Sequence, residues 1–334
     1  MSVAAHAGRV AARLAAALVA LAAAMPAGAQ LRAFEFRLDN DQFAFASPNR
    51  ERWYTSGEFI RLGFDAPAGA PDTRLVDAWC ARVISCDPVA RTMRVLSLDH
   101  RIYTPAFSAT ASPQPFDRPY AASLGLGWAV ASTGDRSRQM LEMQLGTVGP
   151  AALGDEVQNA IHGVLGQEKV RGWGWQVRAQ PLMQLGWSRL HGLALTRGEL
   201  DVVTRTAVLL GNPVTQAGVG AMVRYGRLPD GPTWPGEAMG ARHRWGWHVF
   251  GGVEARAIGR DALIDGDTYA YASRVEREPF AGSAFVGASW ANDSDWHLDI
   301  AFAIHSVPFS TPRELDPLRP QRIGTIGLRW QPTR

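Results

Sequence analysis

A two-residue alternation of apolar with small or polar side chains recurs along most of this chain and constrains its fold more than any other feature. The clearest case is WHLDIAFAI at 296–304, where tryptophan, leucine, isoleucine and phenylalanine occupy every even position. The same period occurs in FIRLGF at 59–64, MLEMQLG at 140–146 and TIGLRW at 325–330. Because successive side chains of a β-strand point to opposite faces, this pattern predicts many strands with one apolar face each.

The alternation by itself allows two architectures. In a secreted β-sandwich the apolar face turns inward, whereas in a membrane barrel it turns outward to the lipid. Here the second faces are rich in Gly, Ala, Arg and Thr, which suits a narrow filled lumen, and aromatic residues lie near strand ends as in an interfacial girdle. These residues are Trp53, Tyr54, Trp128, Trp187, Trp245, Trp247, Trp290, Trp296 and Trp330. With about a dozen such segments between Phe34 and Trp330, we predict an all-β fold, a transmembrane antiparallel β-barrel of about 12 strands, with a sandwich as the alternative.

Residues 1–29 are predicted to be a signal peptide. Two arginines precede a short apolar run at 14–25, and Ala27-Gly28-Ala29 fits the small-x-small rule for cleavage. The run is too short for a spanning helix, which needs about 20 apolar residues. A buried N-terminal helix is the alternative. We therefore expect the barrel to be formed by residues 30–334.

Charge and cysteine content limit the choice of partners. Without the two arginines of the signal peptide, the formal charge falls from +3 to +1, which gives no support to a nucleic-acid partner. Export implies an oxidising compartment, where Cys80 and Cys86 are predicted to close a small surface loop as a disulfide. Zinc is not expected there, because no second thiol pair or nearby histidine completes a ligand set.

Two polar clusters lie at the ends of neighbouring predicted strands. Asp39-Asn40-Asp41 ends the first strand segment, and its carboxylate and amide oxygens are ligands that calcium takes; an ordinary turn is the alternative. Trp53-Tyr54-Thr55-Ser56-Gly57 begins the next strand, where a hydroxyl could face the edge of Asn40 and Asp41 across the hairpin. For this second cluster the alternative is a turn with an interfacial aromatic residue.

A third cluster lies in a predicted helix. Gly154 to Leu165 can form three helical turns before Gly166, a plausible C-terminal stop. Gln158 and His162 are four residues apart and therefore share a helical face. Glu168 follows closely enough to orient or polarise the imidazole. The alternative is a histidine that is simply exposed or satisfied in a core.

The chain lacks G-x-S-x-G and H-E-x-x-H, the motifs of two common hydrolase mechanisms. A histidine base acting on water, with a bound cation holding the oxyanion, is compatible with the residue types present. That mechanism needs a neutral imidazole near the attacking water and a hard Lewis acid near the carbonyl oxygen.

Several short motifs occur in a fixed order along nearly the whole mature chain. They are Asp39-Asn40-Asp41-Gln42-Phe43, Tyr54-Thr55-Ser56-Gly57, Ile102-Tyr103-Thr104-Pro105, Asp117-Arg118-Pro119-Tyr120-Ala121, Gly146-Thr147-Val148-Gly149-Pro150, Gln158-Asn159-Ala160-Ile161-His162, Gly172-Trp173 with Gln176, and Leu210-Gly211-Asn212. Together they resemble the outer-membrane lipid A 3'-O-deacylase family (LpxR-like).

The resemblance implies a twelve-stranded barrel in the bacterial outer membrane, with a short helix in an extracellular loop and an active site between that helix and the wall, at the outer leaflet. It implies calcium-dependent hydrolysis of the 3'-linked acyloxyacyl ester of lipid A, the lipopolysaccharide anchor. We expect a monomer. By this likeness His162 is the base that activates water, supported by Gln158 and Glu168.

The same likeness places Asn40, Asp41 and Thr55 in the site. Asp41 is the first choice as a calcium ligand and Asn40 the second. Arg118 could meet a lipid A phosphate, because guanidinium binds phosphate bidentately.

The sequence departs from the family pattern in three places. Asp39 stands where Glu is usual, Ser56 where Asn is common, and Ala122-Ser123 where Gly-Trp is usual, which leaves substrate preference open. Two other functions also fit the generic pattern: a non-enzymatic channel or scaffold barrel, and a different outer-membrane lipid hydrolase such as a phospholipase.

Overall fold

The computed structural model describes residues 30–43, 53–66, 69–82, 90–240, 245–265, 273–312 and 319–332. Over these residues twelve antiparallel strands close into a barrel, with β1 pairing on one side with β2 and on the other with β14. The predicted all-β antiparallel barrel is thus confirmed. The signal peptide predicted at 1–29 and the pairing of Cys80 with Cys86 lie outside the described residues.

The barrel strands are 10 to 17 residues long. They are β1 (Leu31–Asn40), β2 (Trp53–Asp65), β3 (Arg91–Thr104), β4 (Ala121–Thr133), β5 (Ser137–Val148), β6 (Gln180–Thr196), β7 (Leu200–Gly211), β8 (Val214–Gly226), β9 (Gly246–Asp261), β11 (Phe280–Ala291), β12 (Trp296–His305) and β14 (Gln321–Trp330). The two-residue strands β10 (Glu276–Arg277) and β13 (Phe309–Ser310) pair with each other. Among the described residues there are two α-helices, α1 (Pro71–Arg82) and α2 (Gly154–Leu165). Neither helix has the length and hydropathy needed to cross a membrane.

The strand register assigns the two faces of the wall. Phe36 and Leu328 are paired across β1 and β14 and are exposed on the outside. The next pair, Arg37 and Gly327, lines a cavity inside the barrel. Because directly opposite residues share a face, the apolar positions of the alternation point outward and the polar positions inward. This is the sense of a membrane barrel, and it excludes the sandwich.

Connections between strands alternate between two rims. We call the rim that holds the connections after β1, β3 and β5 the upper rim, and the opposite one the lower rim. At the lower rim Trp290 pairs with Trp247, and Trp296 pairs with Trp330, on the outward face. These tryptophans form the girdle that the sequence predicts. Trp53 is not part of a girdle, because it is buried at the upper rim.

Residues 229–240 of the connection between β8 and β9 occupy the lumen, which they enter from the lower rim. Glu237 of this segment accepts hydrogen bonds from Arg205 at 2.5 Å and from Ser188 at 2.7 Å, and Arg138 lies 3.4 Å away. Breaking such a buried charge cluster leaves guanidinium groups without a counter-charge, which is costly. We call residues 229–240 the lumenal segment.

We expect Glu237→Ala to destabilise the folded barrel by about 3–5 kcal/mol, because it leaves the buried Arg138 without its carboxylate partner and Arg205 with Glu254 alone. Urea titration of the refolded protein, followed by the mobility of unheated samples on gels, measures the change. Glu199→Ala is the matched control, since Glu199 is exposed in the turn between β6 and β7, and its effect should stay within about 0.5 kcal/mol. Equal effects of the two substitutions would contradict the role assigned to Glu237.

Candidate active site

Helix α2 lies against the outside of the barrel, not over its lumen. Ile102 of β3 and Ala122 of β4 are directly opposite each other. Both face outward, as do Leu98 and Leu126, which lie four residues away on the same strands. Val157 of α2 belongs to the same buried cluster as Ile102 and Ala122. The helix therefore covers the outer wall near the upper rim.

Local sequence sets the limits of α2. Leu153 immediately before it adopts a left-handed conformation (φ 65°), and its carbonyl accepts the N–H of Val157. Gly166 after it is also left-handed (φ 68°), a conformation that glycine adopts at little cost. The helix predicted from Gly154 to Leu165 with a stop at Gly166 is confirmed.

His162 is buried on α2 and has a defined tautomer. Its Nδ1 lies 2.6 Å from the main-chain oxygen of Glu168. A carbonyl oxygen can only accept, so Nδ1 carries the hydrogen, and Nε2 is the nitrogen that can take up a proton when the ring is neutral. This is the arrangement that a general base requires.

The contact between His162 and Glu168 differs from the predicted one. The main chain of Glu168 orients the imidazole, while its side chain is exposed. The reason is that the chain after α2 folds back over the helix. The side chain of Asn159 holds this returning segment: it accepts a hydrogen bond from the N–H of Val170 at 2.9 Å and donates one to the carbonyl of Val170 at 3.1 Å.

Gln158 is buried beside His162 on the same face of α2. Its Oε1 accepts a hydrogen bond from the indole of Trp173 at 3.1 Å. Trp173 in turn packs against Tyr120, with ring centroids 5.2 Å apart. The amide is therefore held with its NH₂ group as the donor end, as the predicted supporting role of Gln158 requires.

Asn40 and Thr55 lie on the outer wall at the upper ends of β1 and β2. Asn40 is paired with Ser56, on the outward face. The register between β2 and β3 shifts between Tyr54 and Ser56, and this bulge turns Thr55 outward, where its hydroxyl lies 2.8 Å from that of Thr104. Bulges commonly re-aim a side chain in this way.

The predicted cluster Asp39-Asn40-Asp41 is divided by the wall. Asp39 points into the lumen, where it accepts hydrogen bonds from Tyr54 at 3.0 Å and Thr325 at 2.9 Å. Asn40 faces outward, and Asp41, which begins a 3-10 turn, is buried at the rim. Only the last two residues can therefore act together with α2.

A side-chain bridge connects the far end of α2 with the end of β1. Gln167 Nε2 donates to Gln42 Oε1 at 3.2 Å. The helix thus starts at β4 and its end approaches the turn that contains Asp41. His162, Asn40 and Asp41 therefore lie at the same rim, as predicted.

Arg118 is not part of this group. Its guanidinium lies 4.3 Å from the ring of Tyr103, a residue whose register places it on the lumenal face, and its Nε and Nη2 are buried without a hydrogen-bond partner. The neighbouring Asp117 accepts the indole N–H of Trp53 at 3.1 Å, and burial raises the pKa of this carboxyl. The barrel wall thus separates Arg118 from His162.

The outer wall also carries a pair of ionisable residues that was not among the predicted site residues. Glu58 and His100 are directly opposite each other on β2 and β3. The signal was readable, because each interrupts an otherwise apolar outward series, with Ile60 following Glu58 and Leu98 preceding His100. Polar side chains at such positions need a cover or a partner.

His100 fastens the start of α2 to the wall. Its Nε2 donates to the carbonyl of Ala152 at 2.8 Å, and its Nδ1 lies 2.9 Å from Glu58 Oε2. Ala152 is completely buried. Only Leu153 separates it from the first residue of the helix, Gly154. His100 therefore connects Glu58 on β2 with the main chain just before α2.

A family model described as "Outer membrane protein LpxR" matches residues 12–331. Among solved structures, LpxR from Salmonella typhimurium superposes with a TM-score of 0.71 over 90% of this chain and 99% of that chain, at 18% identity. The β domain of the Bordetella autotransporter BrkA gives 0.43 over 90% and 99%, at 10% identity. The NalP translocator domain from Neisseria meningitidis gives 0.40 over 98% and 96%, at 12% identity. A search of the curated proteins finds no match.

We expect His100→Leu to loosen α2 without unfolding the barrel, because leucine suits the outward face but cannot donate to Ala152. Lys169 is the one lysine in the sequence and is exposed just after α2, so a lysine-specific protease reports on opening of this segment. Loss of the hydrogen bond, about 1.4 kcal/mol, should accelerate cleavage about tenfold. Glu58→Gln can still donate to Nδ1 of a neutral ring and should cleave at close to the wild-type rate. Unchanged cleavage in His100→Leu would refute the anchor.

Proposed function

Because the chain belongs to the family of the outer membrane protein LpxR, we propose that it is a lipid A 3'-O-deacylase, which hydrolyses the 3'-linked acyloxyacyl ester of lipopolysaccharide. The observation that carries the proposal is the position of His162. It is a buried imidazole of defined tautomer on α2, a helix that packs against the outward face of the barrel through Val157. A catalytic group on that face can be reached by a membrane lipid without passage through the lumen.

The proposed site faces the outer leaflet. Three lower-rim connections are short turns, at 134–136, 197–199 and 292–295. Short turns are typical of the periplasmic side of such barrels, and longer loops of the extracellular side. On this assignment α2 lies in an extracellular loop, beside the leaflet that contains lipid A.

In the proposed reaction His162 acts as the general base. Its Nε2 accepts a proton from the water that attacks the acyl carbonyl, and it returns this proton to the departing sugar oxygen. The bond from Nδ1 to the carbonyl of Glu168 keeps the ring oriented in both steps. Gln158 presents its amide NH₂ on the same face, where it can donate to a substrate oxygen, and the exposed Glu168 carboxylate stays a predicted supporting group.

The donors near the end of β1 fit calcium in type. Asp41 supplies a carboxylate and Asn40 an amide oxygen, and calcium prefers oxygen ligands of this kind. Among the residues that the structure describes, no group of three or more His, Cys, Asp or Glu gathers. A bound calcium ion would polarise the ester carbonyl, while Thr55 lines the same part of the wall.

The rival function as a channel is disfavoured by the filled lumen. The lumenal segment places Glu237 among Arg138 and Arg205, and Arg61 donates to the carbonyl of Gly236 at 2.5 Å. A phospholipase would use the same outer-wall site, so only the substrate distinguishes that function from lipid A deacylation. Mass spectrometry of lipid A and of phospholipids from cells that express the protein distinguishes the two.

We expect His162→Ala to lower the rate of lipid A deacylation about 10²–10⁴-fold, because it removes the base. The measurement is loss of the 3' acyl chain from purified lipid A, with folding checked by the gel mobility of unheated protein. His191→Ala is the control, since His191 is an exposed histidine of β6. Wild-type activity in His162→Ala would show that His162 is not the base. If the wild-type protein released fatty acid from phospholipid and not from lipid A, phospholipid would be the substrate.

We expect removal of calcium by a chelator to stop turnover. Added calcium should restore turnover, whereas magnesium, which demands octahedral geometry, should not.

Asp41→Asn should raise the calcium concentration needed for half-maximal activity by about tenfold or more, because calcium affinity follows ligand charge. Asp135→Asn, at an exposed lower-rim turn, should not change it. A calcium requirement unaltered in Asp41→Asn would remove Asp41 from the ligand set.

A further inference from the structure

The second half of α2 carries an apolar surface that none of the described residues covers. Ile161, Val164 and Leu165 are 43%, 86% and 61% exposed. They follow Val157 at helical spacings of four, seven and eight residues, so they share its face. Val157 is buried against the outer wall. The apolar face of the helix thus begins on the wall and continues beyond it, and we call its exposed part, Ile161, Val164 and Leu165, the apolar edge.

The apolar edge lies outside the barrel, beside a surface of the same character. The outward faces of β1 and β14 expose Phe36, Ile326 and Leu328. Across the closing strand pair Phe36 is opposite Leu328, and Leu38 is opposite Ile326. Gln42 connects this side of the wall to the chain just after α2. The apolar edge therefore lies on the same outer side of the barrel as this lipid-facing surface.

The height of the site on the wall agrees with contact to hydrocarbon. Asn40 is paired with Gly324, which lies six residues from Trp330 of the lower-rim girdle. At about 3.3 Å per residue and a strand tilt of about 40°, this is about 15 Å along the barrel axis. The apolar band of such barrels is about 25 Å tall. The wall beside α2 therefore lies below the far edge of that band.

We propose that the apolar edge is immersed in the hydrocarbon of the membrane leaflet and that lipid acyl chains cover Ile161, Val164 and Leu165. Gln158 and His162 occupy the adjacent arc of the same helix. A chain that lies along the edge therefore passes next to the imidazole while it is still in the bilayer. This inference depends on the location of the barrel in a membrane and not on the reaction proposed above.

The test is photo-crosslinking from position 164 in vesicles of phosphatidylethanolamine and phosphatidylglycerol that contain no lipid A. The variant Val164→p-benzoylphenylalanine should gain the mass of one phospholipid on irradiation, as measured on the intact protein. Gly163 is the matched control position, because it is also exposed but points away from the apolar edge. We expect at least about fivefold more phospholipid adduct at 164 than at 163.

Equal phospholipid labelling at the two positions would overturn the proposal. So would adducts at 164 that consist only of a second copy of the chain, since the edge would then be a contact between protomers. Both variants are first shown to fold by their mobility on unheated gels. The assay needs no turnover, so its result stands whether or not the protein deacylates lipid A.

Discussion

The structure depends on the requirement that every backbone N–H and C=O be paired inside the strands that cross a membrane, because lipid offers no hydrogen bonds. Closure of β1 onto β14 satisfies it by leaving no free strand edge. Closure also fixes the two faces of the wall, since side chains alternate strictly along each strand. Any polar residue on the outward face then needs its own explanation, and the outer-wall residues under α2 are such exceptions.

Helix α2 supplies that explanation. It is fastened at its start by His100 on β3 and connected at its end to Gln42 after β1. Between these contacts it packs on the outer wall through Val157, next to the polar pair of Glu58 and His100. The same placement that shields these groups brings His162 to the outside of the barrel. Shielding and the proposed chemistry are therefore two results of one packing arrangement.

The interior serves a different purpose from the outer wall. The lumenal segment fills it through buried ion pairs such as those of Glu237 with Arg205 and Arg138. These contacts support a rigid cylinder on which a surface site can be held. Arg118 and Asp39 belong to this interior, although in sequence each is next to residues of the proposed site. A substrate at the outer wall meets neither of them directly.

The sequence by itself determined the features that depend on local spacing. The alternation, clearest at 296–304, predicted strands with one apolar face each, and Gly166 together with the spacing of Gln158 and His162 defined the helix and its polar face. Tertiary structure alone decided the side of the wall on which each residue lies, because a shift of one residue in register reverses it. The bulge that turns Thr55 outward is such a shift. No local sequence pattern indicates its position. The opposition of Glu58 to His100 is likewise a long-range contact, set by strand pairing and not by sequence distance.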